Sequence, residues 1–325
     1  MKLSIVVPVY NVEKYVRKCI LSIIEQECDL FKEIELIVVN DGTKDNSIDK
    51  IEDLFGKFSN ISLLNQTNQG LSMARNNGLK KAQGDYVWFV DSDDWIAPNA
   101  LLNIFPYLDG CNDTVVVGVT NVMENSSYDS NIYFAQIESM SGKEAFKRGC
   151  QQVSTAQYSV YKKDFLLKNQ LHFMPNVYHE DDEFCPRVSY MAMKSTYLPF
   201  PVYIRRNEIR QSITSQPRPK RAFDSLVVAN ALIDFKNNVV KEAEIKKQFD
   251  IFISIILNNA FEVIMLNDRD NIMRFNDAYK SNNKKFNKIL ANGEKKNKIE
   301  SLLFRFFPNN VTGIYRFLCL FKTGI

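Results

Sequence analysis

Histidine, tryptophan and glycine are scarce in this 325-residue chain, with two His, two Trp, twelve Gly and ten Pro. His172 and His179 stand seven residues apart with no Cys at ligand spacing, so they form no zinc-site pattern. Gly and Pro at this level exclude collagen-like and linker-dominated chains. Six cysteines (Cys19, Cys28, Cys111, Cys150, Cys185, Cys319) include no CxxC pair. With no secretory leader ahead of them, they read as free thiols of a cytosolic protein. The opening MKLSIVVPVY lacks the apolar length of a signal peptide and reads as a buried strand. No run reaches the roughly 20 uninterrupted apolar residues of a spanning helix. The nearest, 251–266, is broken by Asn258, Asn259 and Glu262 and reads as a core helix. Two phosphate cradles are missing as well. No GxGxxG follows the first strand and no GxxxxGK[ST] occurs, which excludes dinucleotide-binding and P-loop chemistry. A nucleotide bound here would have to be held by carboxylates and a metal.

What is present describes an ordinary globular protein: 45% apolar and 24% charged residues. The length suggests two domains, or one large domain with an appendage. A net charge of +3 is too small to argue for a nucleic-acid partner, and none is expected. Its distribution is uneven. From Lys280 onward ten Lys/Arg face two Asp/Glu, so the tail carries +8 and residues 1–279 carry −5.

The first third alternates strand and helix. Strands are expected at 3–9, 35–39, 61–64 and 86–90. Between them, Asn11 is expected to cap a helix through Ile24, a second helix spans 48–58, and a third spans 72–82. This alternation predicts a largely parallel sheet covered on both faces. Ligands of such sheets bind off the carboxyl ends of the strands, where Tyr10, Asp41 and Asp91 fall. The middle third is less regular: strands at 114–123 and 158–161, a helix at 143–148, a helix opened by the acidic run at Glu180, and an extended 196–205. Pro217 and Pro219 mark a boundary, and beyond them the chain reads as helical.

Asp91-Ser92-Asp93-Asp94 directly follows the strand YVWFV. Carboxylates crowded at one strand end repel unless a cation or strong donors compensate. Oxygen ligands suit Mg²⁺ or Mn²⁺ and leave coordination sites for a ligand's phosphates. The plainer reading is an acidic turn in which Asp94 caps a helix near Pro98. Asp41 reads equally as an Asp-Gly turn, and Tyr10 as a ring covering the sheet edge or stacking on a base.

Four blocks in this order, SIVVPVYN, VVNDGTKDNS, NQGLSMARNNG and GDYVWFVDSDDW, resemble the family 2 glycosyltransferases, over roughly residues 1–215. The resemblance implies a GT-A, Rossmann-like nucleotide-diphospho-sugar transferase domain at 1–215, with a mostly parallel central sheet. It divides into a nucleotide-sugar half (1–110) and an acceptor half (111–215), and a basic helical extension follows at 216–325. It implies that Pro8, Tyr10 and Asp41 line the nucleoside pocket, with Asp41 bonding the base. Asp93 matches the direct metal ligand for Mn²⁺ or Mg²⁺, Asp91 lies near ribose and metal, and Ser92 is grouped with the nucleotide-sugar contacts. Arg75 would help hold the carboxylate and nucleotide region. VYHEDDEF resembles the family's Glu-Asp motif, which makes Asp181 the general base with Glu180 beside it; an acidic helix N-terminus is the plainer reading. YIRRNEIRQSIT leaves Arg205, Arg206 and Arg210 as alternatives for approaching the diphosphate. The usual Asp-Asp-Gly-Ser is Asn40-Asp41-Gly42-Thr43 here, a change that bears on nucleotide preference.

The implied activity is inverting transfer from a nucleotide-diphosphate sugar to a glycan or lipid-linked acceptor, in cell-surface polysaccharide synthesis. Two other readings are a nucleotide-sugar-binding assembly subunit and a DxD-type phosphotransferase. The latter fits poorly, since its nucleophilic Asp belongs after the first strand. Residues 280–325 mix lysines with aromatics, which suits either an anionic membrane surface or a helix packed on the protein with a solvated lysine face. The expected location is cytoplasmic, peripheral on the inner face of the membrane in the first case.

Overall fold

The computed structural model describes residues 1–26, 29–122, 130–132, 136–148, 155–207, 218–293 and 295–320. Cys28, Cys150, Arg210 and Pro217 lie outside the described residues. The chain forms two compact units. One comprises Met1–Ala145, Val153–Asn176 and Phe184–Ile209; the other comprises Phe146–Gln152, Val177–Glu183 and Arg210–Ile325.

The first unit is built on one sheet. Its elements and those adjoining run β1 (Leu3–Val9), α1 (Val16–Ile24), β2 (Ile34–Asp41), β3 (Ile61–Gln66), α2 (Leu71–Lys81), β4 (Tyr86–Phe89), β5 (Trp95–Ile96) and α3 (Ala100–Ile104). Then follow β6 (Thr114–Val122), β7 (Ser130–Ile132), β8 (Glu138–Met140), α4 (Gly142–Lys147), β9 (Ser159–Lys162), α5 (Lys163–Lys168), α6 (Glu180–Met191) and β10 (Ser195–Arg206). The strand order is β3-β2-β1-β4-β9-β6-β10-β5, with β7 on β6 and β8 on β10. The first four strands are mutually parallel. Beyond them β9 runs antiparallel to both β4 and β6, so the sheet turns mixed where the regular alternation of the sequence ends.

Both faces of the parallel part are covered, and the strand sequences show why. Leu3, Ile5 and Val7 of β1 point with Leu36, Val38, Tyr86 and Trp88 into a core shared with Val16, Cys19, Ile20 and Ile23 of α1. Val6, Ile37, Val39, Val87 and Phe89 point the other way, to Ala74 and Leu79 of α2 and to Phe184 and Val188 of α6. A strand buried on both sides needs apolar residues at every position, hence the unbroken run LSIVVPV.

Two local expectations are corrected. Asn11 does not cap a helix: it adopts a left-handed φ of 54°. Its backbone N–H donates to Thr43 Oγ1 (2.8 Å), while its Oδ1 accepts from the Lys44 N–H (3.1 Å). The chain turns at Val12, whose carbonyl accepts from Tyr15 and Val16, and α1 starts only at Val16. The helix expected at 48–58 is a short 3₁₀ segment, Asp49–Leu54. Gly56 follows at a φ of 124°, which no helix accommodates, so the segment stops after two 3₁₀ turns. Asp94 is not a helix cap either, as its partners described below show.

The second unit is helical in the tail region, as expected: α7 (Pro219–Asn238), α8 (Ala243–Ile264), α9 (Arg269–Ser281), α10 (Asn283–Asn292), α11 (Lys295–Phe306) and α12 (Val311–Leu320). Phe261 is its centre. It packs on Phe275, Tyr279 and Phe304 at 5.5, 5.4 and 5.3 Å and stacks on Tyr315 at 4.9 Å. A buried ion pair joins Lys236 to Asp250, whose second oxygen accepts from Asn292 Nδ2 at 2.7 Å. No helix among the described residues is long and apolar enough to cross a membrane.

Gly78 sets how closely α2 lies on β1, because a Cβ there would sit 2.2 Å from Val6 Cγ1. Ala normally gains about 1 kcal/mol over Gly inside a helix. Overpacking against a β-branched side chain costs about 1–3 kcal/mol. Gly78→Ala is therefore expected to lower the urea midpoint, and to do so far less in a Val6→Ala background. A midpoint raised in the native background, by about the Ala gain, would show that the contact relaxes freely.

Candidate active site

The parallel strands end together, with Asp41 the last residue of β2 and with Tyr10 and Asp91 in the loops that leave β1 and β4. Pro8 pairs with Val39 within the sheet, and Val9 with Asn40. Tyr10, the first residue past β1, is 39% exposed.

Asp41 is buried, and its carboxylate organises the loop beyond β3. Oδ1 accepts from Gln66 Nε2 (2.8 Å) and the Gln69 N–H (2.7 Å), and Oδ2 accepts from the Gly70 N–H (2.9 Å). Gly70 holds a φ of 83°, in the left-handed region, immediately before α2. A carboxylate offers about four acceptor positions, so three bonds leave one for a ligand. Asn40 serves the same turn: its Oδ1 accepts from the Thr43 N–H (3.0 Å) and its Nδ2 donates to Asn65 Oδ1 (2.9 Å). An aspartate there could make the first bond but not the second, so Asn40 and Asn65 are a matched pair.

The carboxylate cluster after β4 is wired residue by residue. Asp91 Oδ1 accepts from Nη2 of the buried Arg75 (2.8 Å), whose guanidinium lies 5.2 Å from the centre of the Phe173 ring. The other Asp91 oxygen accepts from Gln157 Nε2. Ser92 is buried. Asp93 is 42% exposed and pairs through Oδ2 with Arg206 Nη2 at 3.0 Å. Arg206 Nε donates to the Asp93 carbonyl, and its guanidinium lies 3.8 Å over the Tyr15 ring. Burial and then the Asp91 charge push the Asp93 carboxyl above its ordinary value, while Arg206 opposes them. Asp94 is buried: Oδ2 accepts from the Tyr203 hydroxyl (2.7 Å) and Oδ1 from the Arg206 N–H (2.8 Å). Burial, followed by the charges of Asp93 and Asp91, pushes Asp94 up to about 8. Tyr203 also accepts from the Asp91 N–H at 3.2 Å. Of the two arginine alternatives among the described residues, Arg205 and Arg206, it is Arg206 that pairs with Asp93.

Gln157 and Tyr203 had no local signal. They lie 66 and 112 residues from Asp91 and reach it only through the pairing of β9 and β10 with the rest of the sheet. Gln157 Oε1 is buried without a hydrogen-bond partner among the described residues. Turning the amide over would face its oxygen to the Asp91 carboxylate, so the donating orientation is fixed.

Asp181 and Glu180 belong to the second unit, in the first turn of α6. His179, at a φ of 66°, places Nδ1 3.4 Å from Asp182 Oδ2. The segment ahead of the helix is tied to the start of α7. The Tyr178 N–H donates to Asp224 Oδ2 (2.8 Å), and Arg218 Nη1 to the Tyr178 hydroxyl (3.2 Å).

Among the described residues, no three His, Cys, Asp or Glu side chains converge on one metal position. Mg²⁺-type ions are commonly held by only one or two carboxylates together with substrate phosphates. The half-exposed Asp93, an all-oxygen donor beside a second carboxylate, fits such an ion. Asp91, bonded on both oxygens, fits it less directly.

A fold of this kind recurs in solved structures. Staphylococcus aureus TarS 1–349 in complex with UDP-GlcNAc aligns over 100% of this chain and 92% of that one, with a TM-score of 0.78 at 20% identity. A mannosyltransferase from Pyrobaculum calidifontis in complex with GDP-Man and Mn²⁺ aligns over 96% and 86%, with a TM-score of 0.54 at 14% identity. Identities this low carry the fold alone, and that fold is GT-A. Residues 4–166 match the family Glycosyl transferase family 2. The chain is 30% identical over 274 residues to the putative glycosyltransferase EpsH of Bacillus subtilis, across 82% of this chain and 76% of that protein. The chain belongs to glycosyl transferase family 2 and is a glycosyltransferase. The readings as a phosphotransferase and as a non-catalytic nucleotide-sugar-binding assembly subunit are thereby set aside.

Tyr203 is fully buried and serves two groups at once. Tyr203→Phe strands the Asp91 N–H and removes a donor from Asp94. At about 1–3 kcal/mol for a buried group left unsatisfied, the urea midpoint is expected to fall by a corresponding amount. A midpoint equal to the parent's would mean that neither bond matters to the fold.

Proposed function

We propose that this protein transfers a sugar from a nucleotide-diphosphate sugar to a hydroxyl of a glycan or lipid-linked saccharide, in cell-surface polysaccharide synthesis, with inversion and with the help of Mn²⁺ or Mg²⁺. The observation that carries the donor assignment is the Asp91–Asp93 cluster, compensated by Arg75 and Arg206, at the carboxyl edge of β1, β2 and β4. TarS and the Pyrobaculum enzyme, of the same fold, were solved with nucleotide sugars.

Pro8 and Tyr10 line the nucleoside side of this edge, and Asp41 uses its remaining acceptor position on the base. Asp93, with Asp91 behind it, holds the divalent ion, and Ser92 lies with the donor contacts. The ion, when bound, neutralises charge on the diphosphate leaving group. Arg206 already rests on Asp93 and can add its charge to the same phosphates. Gln157 holds Asp91 through its amide nitrogen and presents its free carbonyl oxygen to a donor hydroxyl. Asp181 accepts the proton of the acceptor hydroxyl, with Glu180 beside it. A single displacement assisted by one carboxylate inverts the anomeric centre.

The metal assignment is tested by supplying a panel of nucleotide sugars with Mn²⁺ and measuring nucleotide diphosphate release. Asp93→Ala is expected to abolish release and metal-dependent nucleotide binding, and Asp91→Ala to weaken both. The Asp93 variant should stay folded, because its removal relieves repulsion from Asp91. Full turnover in EDTA, or from Asp93→Ala, would sink the metal role.

The base is tested separately. General-base assistance is worth about 10²–10⁴-fold. Asp181→Asn is therefore expected to lose turnover on that scale at nearly unchanged nucleotide-sugar affinity, since the lost interaction belongs to the transition state. Glu180→Gln should be milder. Retained turnover in Asp181→Asn removes Asp181 as the base and leaves Glu180 as the alternative, and a product that keeps the donor's anomeric configuration rules out the single displacement.

A further inference from the structure

The last two helices of the second unit bear apolar residues on two sides. On α11, Phe304 is buried against Phe261, and Asn297, Glu300 and Ser301 are buried beside it. On α12, Tyr315 stacks on the same Phe261. These inward faces are already covered. Yet Ile299, Leu302 and Phe306, spaced three and four residues apart along one stripe of α11, are 53, 55 and 68% exposed. Phe307, just beyond the helix, and Phe317 on α12 are 58 and 56% exposed. A helix with apolar side chains on opposite faces belongs where both faces are covered, and the described residues bury only one of them.

Among the described residues of α11 and α12, the exposed charges are of one sign. Lys298, Arg305 and Arg316 are exposed. Glu300 is fully buried, and no Asp or Glu follows it to the end of the sequence. Exposed aromatics flanked by cations on the same two helices match the boundary between headgroups and acyl chains of an anionic bilayer. A second copy of the chain fits poorly, because a two-fold contact would press this cationic face against itself.

We propose that the outer face of α11 and α12 docks on an anionic lipid bilayer. Phe306, Phe307 and Phe317 enter the headgroup boundary, and Lys298, Arg305 and Arg316 meet the lipid phosphates. Each cation near such a surface is worth about 1 kcal/mol, or roughly fivefold in partitioning, so three give roughly a hundredfold preference for anionic over neutral membranes. Salt should erase most of that preference. The proposal reaches beyond the transfer reaction and needs no donor or acceptor assignment.

Sedimentation of the full chain with vesicles tests it, without nucleotide sugar, so that the result is independent of whether transfer has been assigned correctly. Vesicles of phosphatidylcholine with about a third phosphatidylglycerol are compared with phosphatidylcholine alone, at low and high salt. The parent is expected to bind the anionic vesicles at least tenfold more strongly than the neutral ones. Phe306→Ser with Phe307→Ser, and separately Lys298→Glu with Arg305→Glu, should each reduce binding at least tenfold. Circular dichroism confirms that the variants are folded. Equal binding to both vesicle types, no binding at low salt, or binding that survives both pairs of substitutions overturns the proposal. So does a parent that is dimeric by light scattering and becomes monomeric on the Phe306 and Phe307 substitutions without ever binding vesicles.

Discussion

Three carboxylates within four residues at the end of one buried strand are the constraint on which the first unit depends. Left alone they would repel one another and resist burial. Each is instead assigned its own partners: Arg75 and Gln157 for Asp91, Arg206 for Asp93, and Tyr203 with the Arg206 amide for Asp94. Those partners come from α2, from the segment just before β9, and from β10. The cluster therefore fastens together elements that the sheet hydrogen bonds alone would leave free at that edge. Removing one member of a buried ion pair costs about 3–5 kcal/mol, because the other charge is left behind. Arg75, almost wholly buried, is thus as much a part of the fold as of the site.

The division of labour within the triplet follows from exposure. Asp94 is buried and committed to Tyr203 and Arg206, so it anchors β10 to the loop. Asp93 is the half-exposed member, with one oxygen on Arg206. That is the arrangement needed to meet a cation or a phosphate without rebuilding the loop. Asp41 makes the same compromise on β2, with most of its acceptor capacity spent on shaping the approach to α2. The groups proposed to bind at this edge are therefore fixed in place by the same bonds that close the loops.

Much of this was legible in the sequence, because strands covered on both faces must be apolar throughout. LSIVVPV, IELIVV and YVWFV announce themselves, and the acidic loop after YVWFV is then placed by topology alone. Local pattern could not show the partners of that loop. Tyr203 reads as one more apolar residue of a strand, and Gln157 as an unremarkable polar one. Only the insertion of β9 between β4 and β6, and of β10 beside β6, brings both to Asp91. Asn11 failed for a different reason. Its side chain and backbone are used by the loop of Thr43 and Lys44, a contact across more than thirty residues that overrides its capping preference.

The tail raises the same issue at the level of a surface. Composition counted its lysines and aromatics but could not say which aromatics the protein keeps for itself. The Phe261 cluster settles that, by taking Phe275, Tyr279, Phe304 and Tyr315 inward. Phe306, Phe307 and Phe317 remain outside with Lys298, Arg305 and Arg316. Had the tail served only as a packed helix with a solvated lysine face, those outward positions would be expected to carry polar residues, since nothing in the helical core requires them to be aromatic. The proposed docking on a bilayer accounts for their chemistry. A polar stripe at the same positions would have left the Phe261 cluster intact, which makes the outer face a feature separable from the fold.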